Sequence, residues 1–495
     1  MTLPEIDSLG ALLAHQAEAG ADQVAVRDGG GDFHYGELHE WSEEVAECLR
    51  DLGLARGARV ALMLPNSAAY VAAFFGVAAA GGTIAPFNPR YREQEIDYYL
   101  EASGADVLVL SPDLTGMAGD VLGRMEKPPS LVVVTGDGRC DVRRRERGSS
   151  EAVQASGADA PLLHQYTSGS TGAPKRIVRT HGQLLWELGR LASTFELDPD
   201  DRFLGAAPFT HVNGLVRTML TSMFVGGTLY PVPDFQRGRV LGLIGEERLT
   251  YFGGVPTMFA LLAETRGHSD LGSLRVAFSS SAPLLPEHQR LFLEHYGVSI
   301  RQLYGSTETG TISVNRSERP EENPESVGLP LDGVRVEVLD EAGQPASDGS
   351  EGEVAIASPC AITAYDGNPE ATATSFRDGL YLSGDLGRKD SDGQLTLTGR
   401  KKFMINRGGY KVNPLEVERA ILSHPRVAAV VVLGAPSAHG DEVVRAVVVP
   451  NGDLDAEAVV EHCRPRIADF KIPAKVEFRD ELPTSPTGKI LRSQL

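Results

Sequence analysis

Cysteine is scarce in this chain: four in 495 residues, Cys48, Cys140, Cys360 and Cys463, widely scattered and without metal-ligand spacing. They read as reduced thiols and point to a cytoplasmic protein rather than one built on disulfides. Basic residues are in deficit, 47 Lys+Arg against 67 Asp+Glu, for a formal net charge of −20. A broad surface for nucleic acid or an anionic membrane needs the opposite sign, so neither is an expected partner. A local basic pocket for a phosphorylated ligand stays open. Long apolar runs are missing too. Ala72–Gly82 is too short to span a bilayer, and the first residues, with Glu5 and Asp7, lack the apolar core of a signal peptide. No internal repeat is visible. What remains is an ordinary soluble composition, 42% hydrophobic and 23% charged, in a chain longer than one core supports. Two or more domains are expected.

The first part alternates strand and helix patterns. Val24–Val26, Arg59–Leu64, Gly82–Pro86 and Val107–Leu110 read as strands. Tyr35–Leu52, Ala68–Ala80 and Tyr91–Ser103 have apolar residues three and four apart and read as helices. This predicts an α/β wound sheet. The polar stretch 134–159 reads as a solvated loop, since Glu146 and Glu151 offset Arg143, Arg144 and Arg145. From Ser326 onward short alternating strands suggest a β subdomain closing near Gly387. The expected layout is multidomain α/β. Residues 1–399 form a large N-terminal core of wound α/β sheets with a β subdomain at about 326–399. Residues 400–495 form a small, mobile α+β domain.

The chemistry concentrates in a few stretches. Tyr166-Thr167-Ser168-Gly169-Ser170-Thr171-Gly172-Ala173-Pro174-Lys175 combines hydroxyls, two glycines and a lysine. Rotating O–H donors, converging backbone N–H groups and a compact cation suit a loop around a polyphosphate. The glycine spacing is not that of a Walker A loop, and a solvated Ser/Gly turn has the same composition. His211, Val212 and Asn213 follow the stretch Asp201–Pro208; a lone histidine is more often structural than functional. Ser279, Ser280, Ser281 and Ala282 put small side chains at a strand end, where a flat ring can approach. In Tyr304-Gly305-Ser306-Thr307-Glu308, Tyr304 can stack a purine, Gly305 leaves room, Thr307 can donate to phosphate and Glu308 can hold a hard cation. Asp385 can cap a turn or accept from two hydroxyls. Arg400, Lys402, Gly408 and Gly409 form a basic, Gly-containing turn at the expected domain junction. Lys489 lies near the end, where a lysine is usually a solvated charge.

Taken together and in this order, these motifs resemble those of the adenylate-forming superfamily: acyl- and aryl-CoA synthetases, luciferases and peptide-synthetase adenylation domains. The resemblance covers nearly the whole chain. It implies an AMP-forming acid–thiol ligase that uses ATP, Mg²⁺ and CoA. Thr167 to Thr171, with Gly172 and Lys175, would hold the β- and γ-phosphates. Ser280–Ala282, Tyr304–Thr307, Asp385 and Arg400 would hold the rest of the nucleotide. Glu308 and Thr167 would meet the metal. His211, Val212, Asn213, Ser279 and Gly305 would wall the acid site. Lys489 would be the catalytic lysine, Lys402 the hinge, and Gly408 and Gly409 the lining of the pantetheine channel. Val212 stands where peptide-synthetase domains place an aspartate, so an α-amino acid is not the expected substrate. An aryl, arylacrylic or short-to-medium acyl acid is. Other acceptors stay open: a carrier-protein phosphopantetheine, an amine, or nitrite in an aryl-amine diazotisation. So does a non-catalytic nucleotide-binding homologue. The protein is expected as a monomer or homodimer. Phe403 and Arg176 depart from the family pattern.

Overall fold

A computed structural model describes residues 6–136, 140–144, 157–167, 175–265, 269–407, 410–436, 442–484 and 490–495. The chain divides into two compact units. The first holds Met1–Pro324, Leu331–Val334 and Ser358–Phe376; the second holds Glu325–Pro330, Arg335–Ala357 and Arg377–Leu495.

Two sheets build the first unit. In one, the strands Ser130–Val134, Val107–Leu110, Arg59–Met63, Thr83–Pro86 and Pro161–Thr167 run parallel side by side. All but Pro161–Thr167 are nearly continuous apolar runs because both faces are covered. Antiparallel strands Cys140–Arg144 and Lys175–Thr180 close its two edges. In the other sheet, Arg301–Ser306, Val276–Ser279, Tyr251–Gly254, Arg202–Gly205, Thr228–Pro231 and Val24–Asp28 are parallel neighbours. Gly310–Val314 and Gly31–His34 flank it antiparallel. The wound α/β expectation is met.

The helix Ala68–Ala79 shows how the packing is set. Ser67 caps it, its hydroxyl accepting from Tyr70 N at 3.2 Å. Residues 68–78 are all buried. A Cβ on Gly76 would fall 2.6 Å from both the Ser42 carbonyl oxygen and Val45 Cβ, so only glycine lets this helix cross Tyr35–Asp51 so closely. No helix among the described residues is long and apolar enough to cross a membrane.

The stretch expected as a loop at 134–159 needs a correction. Cys140–Arg144 forms an edge strand on Ser130–Val134. An edge strand has one neighbour and tolerates polar side chains, so its pattern reads as loop. Residues 137–139 and 145–156 lie outside the described set.

The second unit carries an antiparallel sheet in the order Arg335–Leu339, Gly352–Ala357, Leu380–Lys389, Leu395–Arg400 and Ser326–Pro330. Further along the chain, Val427–Pro436, Glu442–Pro450 and Lys475–Phe478 form a three-stranded sheet. Its core of Val430, Val432, Val444, Ala446 and Val448 packs with Val417, Ile421 and Val459 of the helices Pro414–Leu422 and Ala456–Cys463.

Candidate active site

The hydroxyl-rich loop joins the antiparallel strands Pro161–Thr167 and Lys175–Thr180, in which Thr167 pairs with Lys175. Ser168, Gly169, Ser170, Thr171 and Gly172 lie outside the described residues, as does the Thr167 side chain. Lys175, at the loop's far end, sets its Nζ 4.4 Å from the centroid of the Tyr365 ring. The Tyr365 hydroxyl in turn donates to Glu308 Oε1 at 3.0 Å. One ring thus joins the lysine to the candidate metal-binding carboxylate.

Glu308 sits on the tight turn between Arg301–Ser306 and Gly310–Val314. Its residue is 9% exposed, and Ile362 N donates to its carbonyl at 2.8 Å. The segment bearing Tyr365 is pinned on its other side. Arg176 and Asp366 form an antiparallel bridge; Asp366 N donates to Arg176 O at 3.0 Å, and the side chains pair at 2.6 Å. Arg176 therefore has a structural reason: it fixes the segment that presents Tyr365.

The neighbouring predicted residues fall as follows. Tyr304 is buried at 7% exposure, while Gly305, Ser306 and Thr307 are half-buried. The Ser306 hydroxyl bonds Thr309 Oγ1 at 2.8 Å and accepts from Thr309 N at 3.1 Å, tying the turn. Ser279 and Ser280 are buried, whereas Ser281 and Ala282 are exposed. Ser281 has a φ of 78°, a left-handed conformation uncommon for a residue with a Cβ.

On the acid side, His211 precedes a short helical turn, Val212–Gly214, and Val212 and Asn213 are buried. The His211 side chain reaches solvent, yet the protein around it lowers the imidazole pKa to about 4 by desolvation. Water at its exposed face weakens that effect without reversing it, so the ring is neutral at pH 7. A neutral imidazole is compatible with a wall position. Asn213 Nδ2 donates to the Gly254 carbonyl at 3.0 Å, and Ser280 N donates to the same oxygen at 3.1 Å. That shared oxygen draws the segments bearing Asn213 and Ser280 together.

Leu215–Leu220 continues as a π-helical turn. Such turns are rare and shift side chains out of helical register. This one carries Arg217 into the interior, at 3% exposure, with Nε donating to Thr311 Oγ1 at 2.9 Å and Nη1 to Ser280 Oγ at 3.4 Å. The sequence reading overlooked both Arg217 and Tyr365. A lone Arg amid Leu215-Val216 and Thr218-Met219-Leu220 is the one signal that could have exposed the first. Nothing local marks the second.

In the second unit Asp385 and Arg400 stand opposite each other on adjacent strands and pair at 2.6 Å, with the Asp385 side chain 8% exposed. Ser383 gives its hydroxyl to Val354 O at 2.7 Å and accepts from Asp385 N at 3.0 Å. Lys402 is exposed on the turn Lys401–Phe403. The Phe403 ring lies under Lys402 Nζ at 4.9 Å and Arg492 at 4.8 Å, which accounts for an aromatic residue here. Gly408, Gly409 and Lys489 lie outside the described residues. The chain flanking Lys489 is well held. Thr484 bridges Ile490, Leu491 N donates to Pro483 O at 2.8 Å, and Arg492 pairs with Glu418 at 2.6 Å.

A wound α/β core with a hydroxyl-rich loop, a buried carboxylate beside it and a small α+β region after it defines an AMP-binding enzyme. The model of the AMP-binding enzyme family matches residues 13–365, and that of the AMP-binding enzyme C-terminal domain matches residues 416–489. The chain belongs to this family, as an acyl-CoA synthetase-like member of the adenylate-forming superfamily, and its class is that of the AMP-forming acid–thiol ligases. Among individual proteins, it is 35% identical over 494 residues to a feruloyl-CoA synthase of an Amycolatopsis species, covering 98% of each chain. ATP-bound MatB from Rhodopseudomonas palustris superposes with a TM-score of 0.89 at 29% identity, covering 99% of this chain and 98% of that one. The amide bond synthetase McbA from Marinactinospora thermotolerans superposes with a TM-score of 0.86 at 27% identity, covering 98% and 99%.

Proposed function

We propose that the protein activates a carboxylic acid with ATP and passes the acyl group to the thiol of CoA. A carboxylate does not react with a thiol at neutral pH, because oxide is a poor leaving group. In the first step a carboxylate oxygen attacks the α-phosphorus and pyrophosphate departs. In the second the thiolate attacks the acyl carbon, and AMP leaves with the carboxylate-derived oxygen. The first step joins two anions, so its main demand is electrostatic.

The observation that carries this reading is the Lys175–Tyr365–Glu308 relay. It sets a cation and a buried carboxylate at the foot of the hydroxyl-rich loop. Glu308 is a hard oxygen donor already oriented by a hydrogen bond. Mg²⁺ is commonly held by one or two carboxylates together with substrate phosphates, and this donor fits that use. When bound, the ion supplies neutralisation of phosphate charge. In the same reading Thr167, Ser168, Ser170, Thr171 and Lys175 hold the β- and γ-phosphates. Asp385 and Arg400 take the ribose. Lys489 bridges carboxylate and α-phosphate during attack. Lys402 is the pivot between residues 1–399 and 400–495, and Gly408 and Gly409 line the thiol's path.

The acid is aryl, arylacrylic or short-to-medium acyl. Buried Val212 offers no charge for an α-ammonium group. The likeness to the feruloyl-CoA synthase supports the arylacrylic choice. A second reading, transfer to an amine, is supported by the likeness to the amide bond synthetase. A screen of acids for ATP–pyrophosphate exchange, followed by mass spectrometry with CoA and with amines, tests both. Acyl-CoA as the product confirms the first; amide without acyl-CoA replaces it with the second.

A further inference from the structure

Arg217 is a cation without a carboxylate of its own. Three charged groups meet in this part of the first unit: Arg179, Glu187 and Arg217, with side chains fully or almost fully buried. Glu187 is already committed. Its Oε2 pairs with Arg179 at 2.7 Å, and its Oε1 accepts from Thr311 N at 2.8 Å and Thr311 Oγ1 at 2.7 Å. Arg217 reaches this carboxylate only through the Thr311 hydroxyl. Two guanidiniums against one carboxylate leave one positive charge in excess. A buried charge without a partner is costly, and such groups persist where something neutralises them.

The free end of that cation lies against Gly305, one of the residues expected to wall the acid site. Arg217 Nη2 has no hydrogen-bond acceptor among the described residues. A Cβ on Gly305 would lie 2.2 Å from it, so only glycine fits against this buried edge of the guanidinium. Nη1 meets Ser280. Asn213 Oδ1 and Ser279 Oγ, on the two segments joined through Gly254, are also buried without partners among the described residues. The Nε and Nη1 bonds explain how Arg217 is held. They do not explain a third, unused donor beside the wall of the acid site.

We infer that Arg217 selects the acid, and that the substrate carries at its far end a second oxyanion, a carboxylate or sulfonate, which pairs with Nη2. This rests on the adenylation reading and narrows its substrate class. A dianionic acid would complete the charge balance of the Arg179–Glu187–Arg217 group. An apolar acid of the same length would leave the cation unpaired and lose affinity.

The test compares matched acids in acid-dependent pyrophosphate release: hexanoate against adipate, and cinnamate against 4-carboxycinnamate. In at least one pair the dianionic member should have a kcat/KM about tenfold or more above its monoanionic match. Arg217→Met should collapse that ratio toward one, chiefly through KM, and Arg217→Lys should keep part of it. Should Arg217→Met fail to fold, the wild-type ratio and Arg217→Lys decide. Monoanionic acids equal to or better than their dianionic matches would overturn the inference alone. So would equal losses for both acids in Arg217→Met, the mark of a purely structural arginine. Release with none of the acids would overturn the adenylation reading and this inference with it.

Discussion

Tyr365 and Glu308 are 57 residues apart in the chain and share one hydrogen bond, the phenol hydroxyl donating to Oε1 at 3.0 Å. The face of the same ring carries the Lys175 ammonium. Its edge holds the carboxylate and its face the ammonium, the two charges that the proposed first step would use. Tyr365→Phe keeps the face and removes the edge contact. A hydrogen bond to a charged group contributes about 1.5–3 kcal/mol, so adenylation should fall roughly tenfold to a hundredfold. The Mg²⁺ concentration for half-maximal exchange should rise with it. Tyr365→Leu, which loses both contacts, should fall further. A magnesium titration of ATP–pyrophosphate exchange reads all three proteins.

Asp385→Asn tests the nucleotide's other end. The substitution removes the partner of Arg400 and the charge proposed to accept from the ribose. KM for ATP should rise about tenfold or more, with the thermal midpoint little changed, because Arg400 is 42% exposed and pairs of that kind contribute little to stability. A large drop in melting temperature with an unchanged KM would assign Asp385 to structure instead.

Arg492 anchors the chain that leads out of Lys489. It pairs with buried Glu418 and donates to Val432 O at 2.6 Å, and Val432 N donates to the same Glu418 oxygen at 2.8 Å. Burial raises the Glu418 pKa despite Arg492, so the carboxylate depends on its cation to stay ionised. Arg492→Ala should destabilise the second unit by roughly 3 kcal/mol. Denaturant unfolding measures that loss. Adenylation should drop more than the turnover of supplied acyl-AMP, since the damage lies beside Lys489.

Histidine burial sets the acid side of the stability curve. His164 and His181 are buried, and desolvation lowers both pKa values to about 4; His181 Nδ1 accepts from Leu9 N at 3.0 Å, which requires the neutral ring. An unfolded histidine titrates near 6.5. Between about 6.5 and 4 the unfolded chain therefore binds more protons than the folded one, and stability must fall as the pH falls through that window. The contribution is fully present above about pH 6.5. Thermal melts from pH 8 to 4 should show this decline. A flat profile would mean that the two rings are protonated in the native protein.

Much of this was readable in one dimension. Glu308 and Asp385 stand in local motifs whose residue types suit the chemistry proposed for them. Three parallel strands of the first sheet, Arg59–Met63, Thr83–Pro86 and Val107–Leu110, announce themselves through apolar runs such as Val60–Leu64. The residues that were missed act through partners far away in sequence. Tyr365 acquires a role only when Lys175 and Glu308 fold onto it. Arg176 looked anomalous until Asp366 closed against it. Arg217 stands in an apolar stretch that reads as core, and only the π-helical turn brings its charge beside Ser280 and Gly305. The edge strand Cys140–Arg144 failed for a different reason: one covered side does not impose an apolar pattern.

The central claim is that the acid's own oxygen ends on AMP. Labelling the substrate carboxylate with ¹⁸O and recording the mass of the AMP formed in the presence of acceptor tests it directly. The account predicts AMP carrying one ¹⁸O with unlabelled pyrophosphate, and neither product from the Lys489→Ala protein. Unlabelled AMP, or label appearing in inorganic phosphate alongside ADP, would contradict it.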